Sequence, residues 1–145
     1  MSLRLAVVGV GAVGRSVVEL APDYGHVVTA VADSRSSAVD PDGIDADATF
    51  ERKEREGVVG SVDPADALAA DYDVLVEATP TTLGDAEPGF SHVRTALERD
   101  RHVVSANKGP VAERYGDLQA LVADSAGDLR FEATVGGAIP AVSTV

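Results

Sequence analysis

Three glycines, two short polar turns, one aspartate and one lysine hold most of the chemistry available to this sequence. Gly9, Gly11 and Gly14 are spaced G-x-G-x-x-G within Leu5-Ala6-Val7-Val8-Gly9-Val10-Gly11-Ala12-Val13-Gly14. An unbroken apolar run, Leu5 to Val8, leads in as a strand buried on both faces, and the helical pattern Val13, Val17, Val18, Leu20, Ala21 leads out. In that setting each glycine has its own task. Gly9 allows the tight strand-to-helix turn, Gly11 lets a pyrophosphate approach the backbone, and Gly14 lets the helix pack close to the strand. The phosphates would meet the unpaired N–H groups and positive end of the helix, so Gly9, Val10, Gly11, Ala12, Val13 and Gly14 form a candidate dinucleotide cradle.

Asp33 lies nineteen residues after Gly14 and closes a second apolar run, Val27 to Ala32. A carboxylate at the end of that strand accepts hydrogen bonds from the adenosine ribose hydroxyls, and Ser34 and Arg35 follow it. A plainer reading has the glycines as a loop and Asp33 as a cap. Strand, loop, helix, strand and acid in register favour the cofactor. Ala78, Thr79 and Pro80 end a later strand and are candidates to line the ribose–nicotinamide half. Asn107 and Lys108 end the next one.

Lys108 is the candidate catalytic residue. The chain has only two lysines, Lys53 and Lys108, and uses Arg elsewhere. A lysine kept where Arg is the habit points to a use for its compact, rotatable ammonium: polarising a carbonyl or taking part in proton transfer. The plainer reading is a solvated lysine beside a helix start, an unfavourable place for positive charge. Lys53, in the mixed-charge run Glu51 to Glu56, reads as a solvated surface group that can reach a cofactor 2′-phosphate. His26, His92 and His102 show no metal-ligand spacing and read as structural.

The elements that must position these groups alternate. Strands are expected at Leu5–Val8, Val27–Ala32, Val58–Val62 (a short edge strand), Asp73–Ala78, His102–Ala106 and Leu129–Val135. Helices are expected over Val13–Ala21, Ile44–Glu56, Pro64–Ala70, Phe90–Arg99 and Pro110–Ala126, with Ser34–Gly43 as loop. The alternation predicts an α/β fold, a Rossmann-type doubly wound parallel sheet. Ligands of such sheets bind beyond the carboxyl ends of the strands, where all the polar clusters named above fall.

Composition narrows the classes. The 145 residues suffice for one domain, and with no Cys there is no disulfide framework or thiol nucleophile. A formal charge of −12 excludes an extended nucleic-acid surface. The acid is spread along the chain, as on proteins of salt-loving organisms, and predicts loss of structure in dilute buffer. No signal peptide or membrane span is legible, and the cytoplasm is the expected compartment.

The sequence resembles the N-terminal half of homoserine dehydrogenase. The carriers are Val8 to Gly14, Ala32-Asp33-Ser34, Glu77-Ala78-Thr79-Pro80-Thr81, Ser105-Ala106-Asn107-Lys108-Gly109-Pro110 and Glu132 to Pro140. The resemblance implies interconversion of L-homoserine and L-aspartate 4-semialdehyde with NAD or NADP, on the route to threonine and methionine. It implies that Thr79 and Lys108 contact the nicotinamide end, with Lys108 facing the reacting carbon. It also implies a monovalent-cation site, for sodium, on the Glu132 carboxylate and the carbonyls of Val135, Gly137 and Ile139. In the family, the acids that grip homoserine and a second lysine lie in a later catalytic domain, absent from this chain, and dimer contacts lie largely there too, so a homodimer stays open. Cofactor binding with little turnover is the expectation for these residues alone. Asp33 favours NAD, whereas Arg35 or Lys53 suits NADP.

Two other readings stand beside this one. An aspartate dehydrogenase or a dihydrodipicolinate reductase-like protein shares the first motif but not the Asn107-Lys108-Gly109 turn with the Glu132 segment. A regulatory module that binds NAD(P) and reports to a partner needs no substrate half.

Overall fold

A computed structural model of the chain describes residues 2–131 and Val142. Its centre is the strand β1 (Arg4–Val8), flanked in parallel by β2 (Val27–Ala32) and β4 (Val74–Glu77). Parallel pairing continues to β5 (His102–Ser105) and β6 (Leu129–Phe131). With β3 (Ser37–Val39), the sheet among the described residues has six strands in the order β3-β2-β1-β4-β5-β6. The winding reverses between β1 and β4, and that switch point opens a crevice at the carboxyl ends of the strands.

Helices cover both faces: α1 (Ala12–Leu20), α2 (Ala46–Glu56), α3 (Pro64–Leu68), α4 (Gly89–Glu98) and α5 (Gly109–Ala123). Successive strand residues point to opposite faces, which is why β1 is apolar from Leu5 to Val8. Leu5 and Val7 join Val17 and Val18 of α1 and Phe50 of α2. Ala6 and Val8 join Ala67 of α3, Phe90, Val93, Ala96 and Leu97 of α4, and Leu118 of α5. The small side chains of Ala6, Ala30 and Ala32 on that second face let the helices approach closely. Removing the Leu5 side chain, wholly buried in the first layer, costs about 2–5 kcal/mol in such a setting.

The fold corrects the expected elements on the β2 side. The segment Ser34–Gly43, expected as loop, contains β3, antiparallel to β2 through Ala32 opposite Ser37 and Ala30 opposite Val39. The edge strand expected at Val58–Val62 reduces to one bridge between Val62 and Ser37. The cause is local. Asp33 accepts from the backbone N–H groups of Arg35 and Ser36, which folds the chain back on β2. A Cβ on Gly60 would lie 2.0 Å from the Ser37 carbonyl oxygen, so the later segment crosses against β3 where only glycine fits.

The long helix expected over Pro110–Ala126 is interrupted at Arg114 (φ −134°, ψ 37°) and ends at Ala123. The Arg114 guanidinium lies 3.6 Å from the centre of the Phe90 ring, tying α5 to α4. Of the expected strand Leu129–Val135, residues 129–131 form β6. The rest of it, and the Gly136–Pro140 turn, lie outside the described residues. Among the described residues no helix is long and apolar enough to cross a membrane.

Candidate functional site

The crevice begins where β1 turns into α1, and backbone approach dictates its glycines. Gly9 has φ +102°, and a Cβ there would lie 2.4 Å from the Ala78 carbonyl oxygen. A Cβ on Gly14 would lie 1.7 Å from the Gly9 carbonyl oxygen, so α1 can rest on the turn only through glycine. At Gly11 a Cβ would meet nothing within 4 Å among the described residues, so this is the glycine that keeps open space rather than close packing. Among the described residues no side chain caps α1 at Gly11, and no acid lies in its first turn to offset its positive end. This open, uncapped turn fits a pyrophosphate group.

A cavity of about 590 Å³ runs from this turn along the sheet end, a size ordinary for a small-molecule site. Val8 to Gly11, Asp33, Ser34, Thr79 and Pro80 line it, all within the stretches singled out by sequence. Ala12 and Val13 belong to the first turn of α1, and Gly14 and Ala78 form the packing beneath the turn. Among the described residues, Lys53, Pro64, Leu68, Thr82, Pro88 and His92 complete the lining.

At the β2 end the Asp33 side chain is almost fully enclosed, and both its oxygens are engaged. Oδ1 accepts from the Arg35 and Ser36 N–H groups and from the Ser36 hydroxyl, at 2.8, 2.6 and 3.0 Å. Oδ2 accepts from Lys53 Nζ at 2.6 Å, which also donates to the Gly57 carbonyl at 3.2 Å. Burial pushes this carboxyl up, but the bonds from Lys53, Arg35 and Ser36 outweigh it and hold it below the ordinary value. Lys53 is thus no solvated surface group. α2 turns its last part toward β2, and the ammonium is held at the cavity wall. With one donor on Oδ2, that oxygen keeps an acceptor position for a hydroxyl. Ser34 and Arg35 are exposed, and Arg35 stands outside the lining.

At the β4 and β5 ends a second polar cluster forms. Glu77 closes β4 and is fully buried. Its carboxylate accepts from the Thr79 hydroxyl at 3.0 Å and the Thr79 N–H at 3.3 Å. His92, on α4, brings Nδ1 to 3.4 Å from both carboxylate oxygens while its ring lines the cavity. The sequence reading of His92 as structural therefore covers only half its position. His26 and His102 accept from the Leu3 and Asp128 N–H groups, and both serve the scaffold.

Asn107, also buried, donates from Nδ2 to the Thr79 hydroxyl at 3.1 Å and accepts at Oδ1 from the Gly109 N–H at 2.9 Å. Glycine at 89 makes this possible, since a Cβ there would lie 2.3 Å from Asn107 Nδ2. Lys108 stands at the start of α5 with its N–H directed to Thr81 Oγ1 at 3.3 Å. Its side chain is exposed at the same sheet end, outside the cavity lining. The cation candidates Glu132, Val135, Gly137 and Ile139 lie outside the described residues.

Sequence alone did not reveal Glu77 as the partner of Thr79 or Lys53 as the partner of Asp33. The signals were a carboxylate ending a strand that is otherwise all apolar, and a lysine where arginine is the habit.

Comparison with known proteins agrees with this geometry. Homoserine dehydrogenase of Methanocaldococcus jannaschii is 32% identical over 160 aligned positions, covering 97% of this chain and 47% of that protein. The homoserine dehydrogenase structure from Thermoplasma acidophilum superposes with a TM-score of 0.80 at 27% identity, over 92% of this chain and 44% of that one. A hyperthermophilic archaeal homoserine dehydrogenase in complex with NADPH shares the fold, with a TM-score of 0.73 at 21% identity over 92% and 44%. The chain thus spans less than half the length of these relatives. The profile of the family described as homoserine dehydrogenase, NAD binding domain, matches residues 9–132. A glycine turn built to admit a pyrophosphate, an acid ending β2 and this agreement over nearly the whole chain lead to one conclusion: the chain belongs to the homoserine dehydrogenase NAD-binding domain family.

Proposed function

We propose that this chain is the cofactor-binding half of an NAD(P)-dependent oxidoreductase that interconverts L-homoserine and L-aspartate 4-semialdehyde. The observation that carries the reading is the open, uncapped turn at Gly11, set in one cavity between Asp33 and Thr79. A bound dinucleotide supplies the acceptor or donor of the hydride. The chain's own residues bind and orient it. The N–H groups from Gly9 to Gly14 hold the pyrophosphate, Asp33 the adenosine ribose, and Thr79, Pro80 and Asn107 the nicotinamide half. Lys53, already at the Asp33 carboxylate, suits a 2′-phosphate, with Arg35 nearby in sequence. The NADPH-bound relative favours NADP as one of the cofactors used.

On this reading the exposed Lys108 ammonium stabilises the developing charge on the substrate oxygen. The groups that grip homoserine belong to a catalytic domain outside these residues, and a sodium ion is held by Glu132 with the carbonyls of Val135, Gly137 and Ile139. The reaction serves threonine and methionine formation in the cytoplasm of a salt-adapted cell, and a homodimer is compatible with it. Calorimetric titration with NADH and NADPH in molar salt tests the reading. One saturable site per chain is expected, with little homoserine oxidation by these residues alone. Absence of heat with both nucleotides refutes it.

A further inference from the structure

We infer that Glu77 is a positioning residue that makes the Thr79 hydroxyl an obligate hydrogen-bond acceptor toward the nicotinamide half of the dinucleotide. This deepens the cofactor reading above and rests on it.

The argument is one of hydrogen-bond direction. Asn107 Oδ1 lies 2.9 Å from the Gly109 backbone nitrogen, a group that can only donate. The amide is therefore oriented with its oxygen toward α5, and its nitrogen donates to Thr79 Oγ1 at 3.1 Å. At the other end, Glu77 Oε2 lies 3.0 Å from Thr79 Oγ1, and an ionised carboxylate can only accept. The single hydroxyl proton of Thr79 is thus committed to Glu77, and one lone pair is committed to Asn107. What remains is one acceptor position, on a side chain that lines the cavity.

Four further observations tie the arrangement to the site. Glu77 is wholly buried, a costly position for a carboxylate that serves packing alone. His92 faces both of its oxygens from α4 at 3.4 Å, the histidine that closes its far side and an ion-pair partner when protonated. Gly89 leaves room for the cluster, since a Cβ there would lie 3.1 Å from Glu77 Oε2. Thr79 sits across β1 from Asp33, on the side that takes the nicotinamide half when Asp33 takes the adenosine. The complementary ligand chemistry is an N–H or O–H donor: the carboxamide amine or a hydroxyl of the adjoining ribose.

The test is calorimetric titration with NAD⁺ and with 3-acetylpyridine adenine dinucleotide, whose acetyl group keeps the carbonyl and lacks the N–H donors. Wild type, Glu77→Gln, Thr79→Val and the double variant are compared, each checked by thermal melting. In Glu77→Gln the new amide donates to Thr79, whose own proton is released toward the cavity, where donor meets donor. NAD⁺ should bind about tenfold more weakly, the loss of one hydrogen bond. In the Thr79→Val background, Glu77→Gln should add less than about twofold, because it acts through that hydroxyl. A wild-type preference for NAD⁺ over the acetyl analogue that vanishes in Glu77→Gln assigns the donor to the carboxamide. Equal weakening of both assigns it to the ribose. Wild-type affinity in Glu77→Gln, or additive losses in the double variant, overturns the inference and leaves the cofactor reading standing. No binding of either nucleotide by wild type overturns both. Should Glu77→Gln fail to fold, Thr79 carries the test: Thr79→Ser must retain affinity and Thr79→Val lose about tenfold, and wild-type affinity in Thr79→Val overturns the inference.

Discussion

Replacing Asp33 with Asn changes one charge in the crevice wall and little of its shape. The amide oxygen can still take the bonds that Oδ1 receives from Arg35 and Ser36. Its amino group then faces Lys53 Nζ, now 2.6 Å from Oδ2, and the ion pair becomes a clash of donors. A charge-assisted hydrogen bond is worth about 1.5–3 kcal/mol. The Lys53 side chain is 34% exposed, so solvent screening reduces the loss to about 1–2 kcal/mol. For 145 residues that corresponds to a fall of about 3–7 °C in melting temperature. Binding should respond more sharply. NADH loses a charged acceptor for its ribose hydroxyl, while Lys53 becomes available to a 2′-phosphate. The NADPH-to-NADH affinity ratio, read by fluorescence titration, should rise about tenfold to a hundredfold and shrink with added salt. An unchanged ratio, or one moving toward NADH, refutes the account. The pH dependence follows with a definite sign. Burial raises this carboxyl, but its hydrogen bonds prevail and the folded value lies below the unfolded one. The stabilisation is therefore fully present above about pH 4 and is lost as pH falls through the lower folded value. In molar salt, where general charge repulsion is screened, Asp33→Asn should flatten the acid side of the melting profile, and an identical profile counts against the pairing.

The glycines separate folding from binding. Gly14→Ala forces a Cβ onto the Gly9 carbonyl and should abolish or severely destabilise the fold, whereas Gly11→Val, pointing into open space, should melt near wild type yet lose detectable nucleotide binding. Equal melting of the two variants would contradict these roles. The net charge of −12 predicts a melting temperature about 5 °C or more higher in molar salt than in dilute buffer, and a salt-independent midpoint would show that acid repulsion does not limit stability.

Much of the fold was legible because β1, β2, β4 and β5 are centred on short, mostly apolar and β-branched runs, a pattern that suits strands covered on both faces. The glycine turn was legible because its spacing encodes close approaches that coordinates then measure. The β2 edge was not, because β3 is three residues long and is created by the Asp33 turn and the crossing at Gly60, contacts remote from any periodicity. Lys53 and His92 were misjudged for a related reason. Lys53 sits among the mixed charges of α2 and His92 beside the buried apolar residues of α4, and only the packing of these helices at the sheet end brings the two residues to Asp33 and Glu77.

Ser36 gives the adenosine end of the crevice a property that no single contact suggests. Its hydroxyl donates to Asp33 Oδ1 at 3.0 Å and accepts from the Val59 N–H at 3.0 Å, so it stitches the ribose-facing turn to the chain emerging from α2. That same helix delivers Lys53. If the proposed cofactor reading holds, nucleotide choice and the anchoring of a whole helix share one knot, and an engineer who wishes to exchange one nucleotide for the other must redesign residues 33, 36 and 53 together.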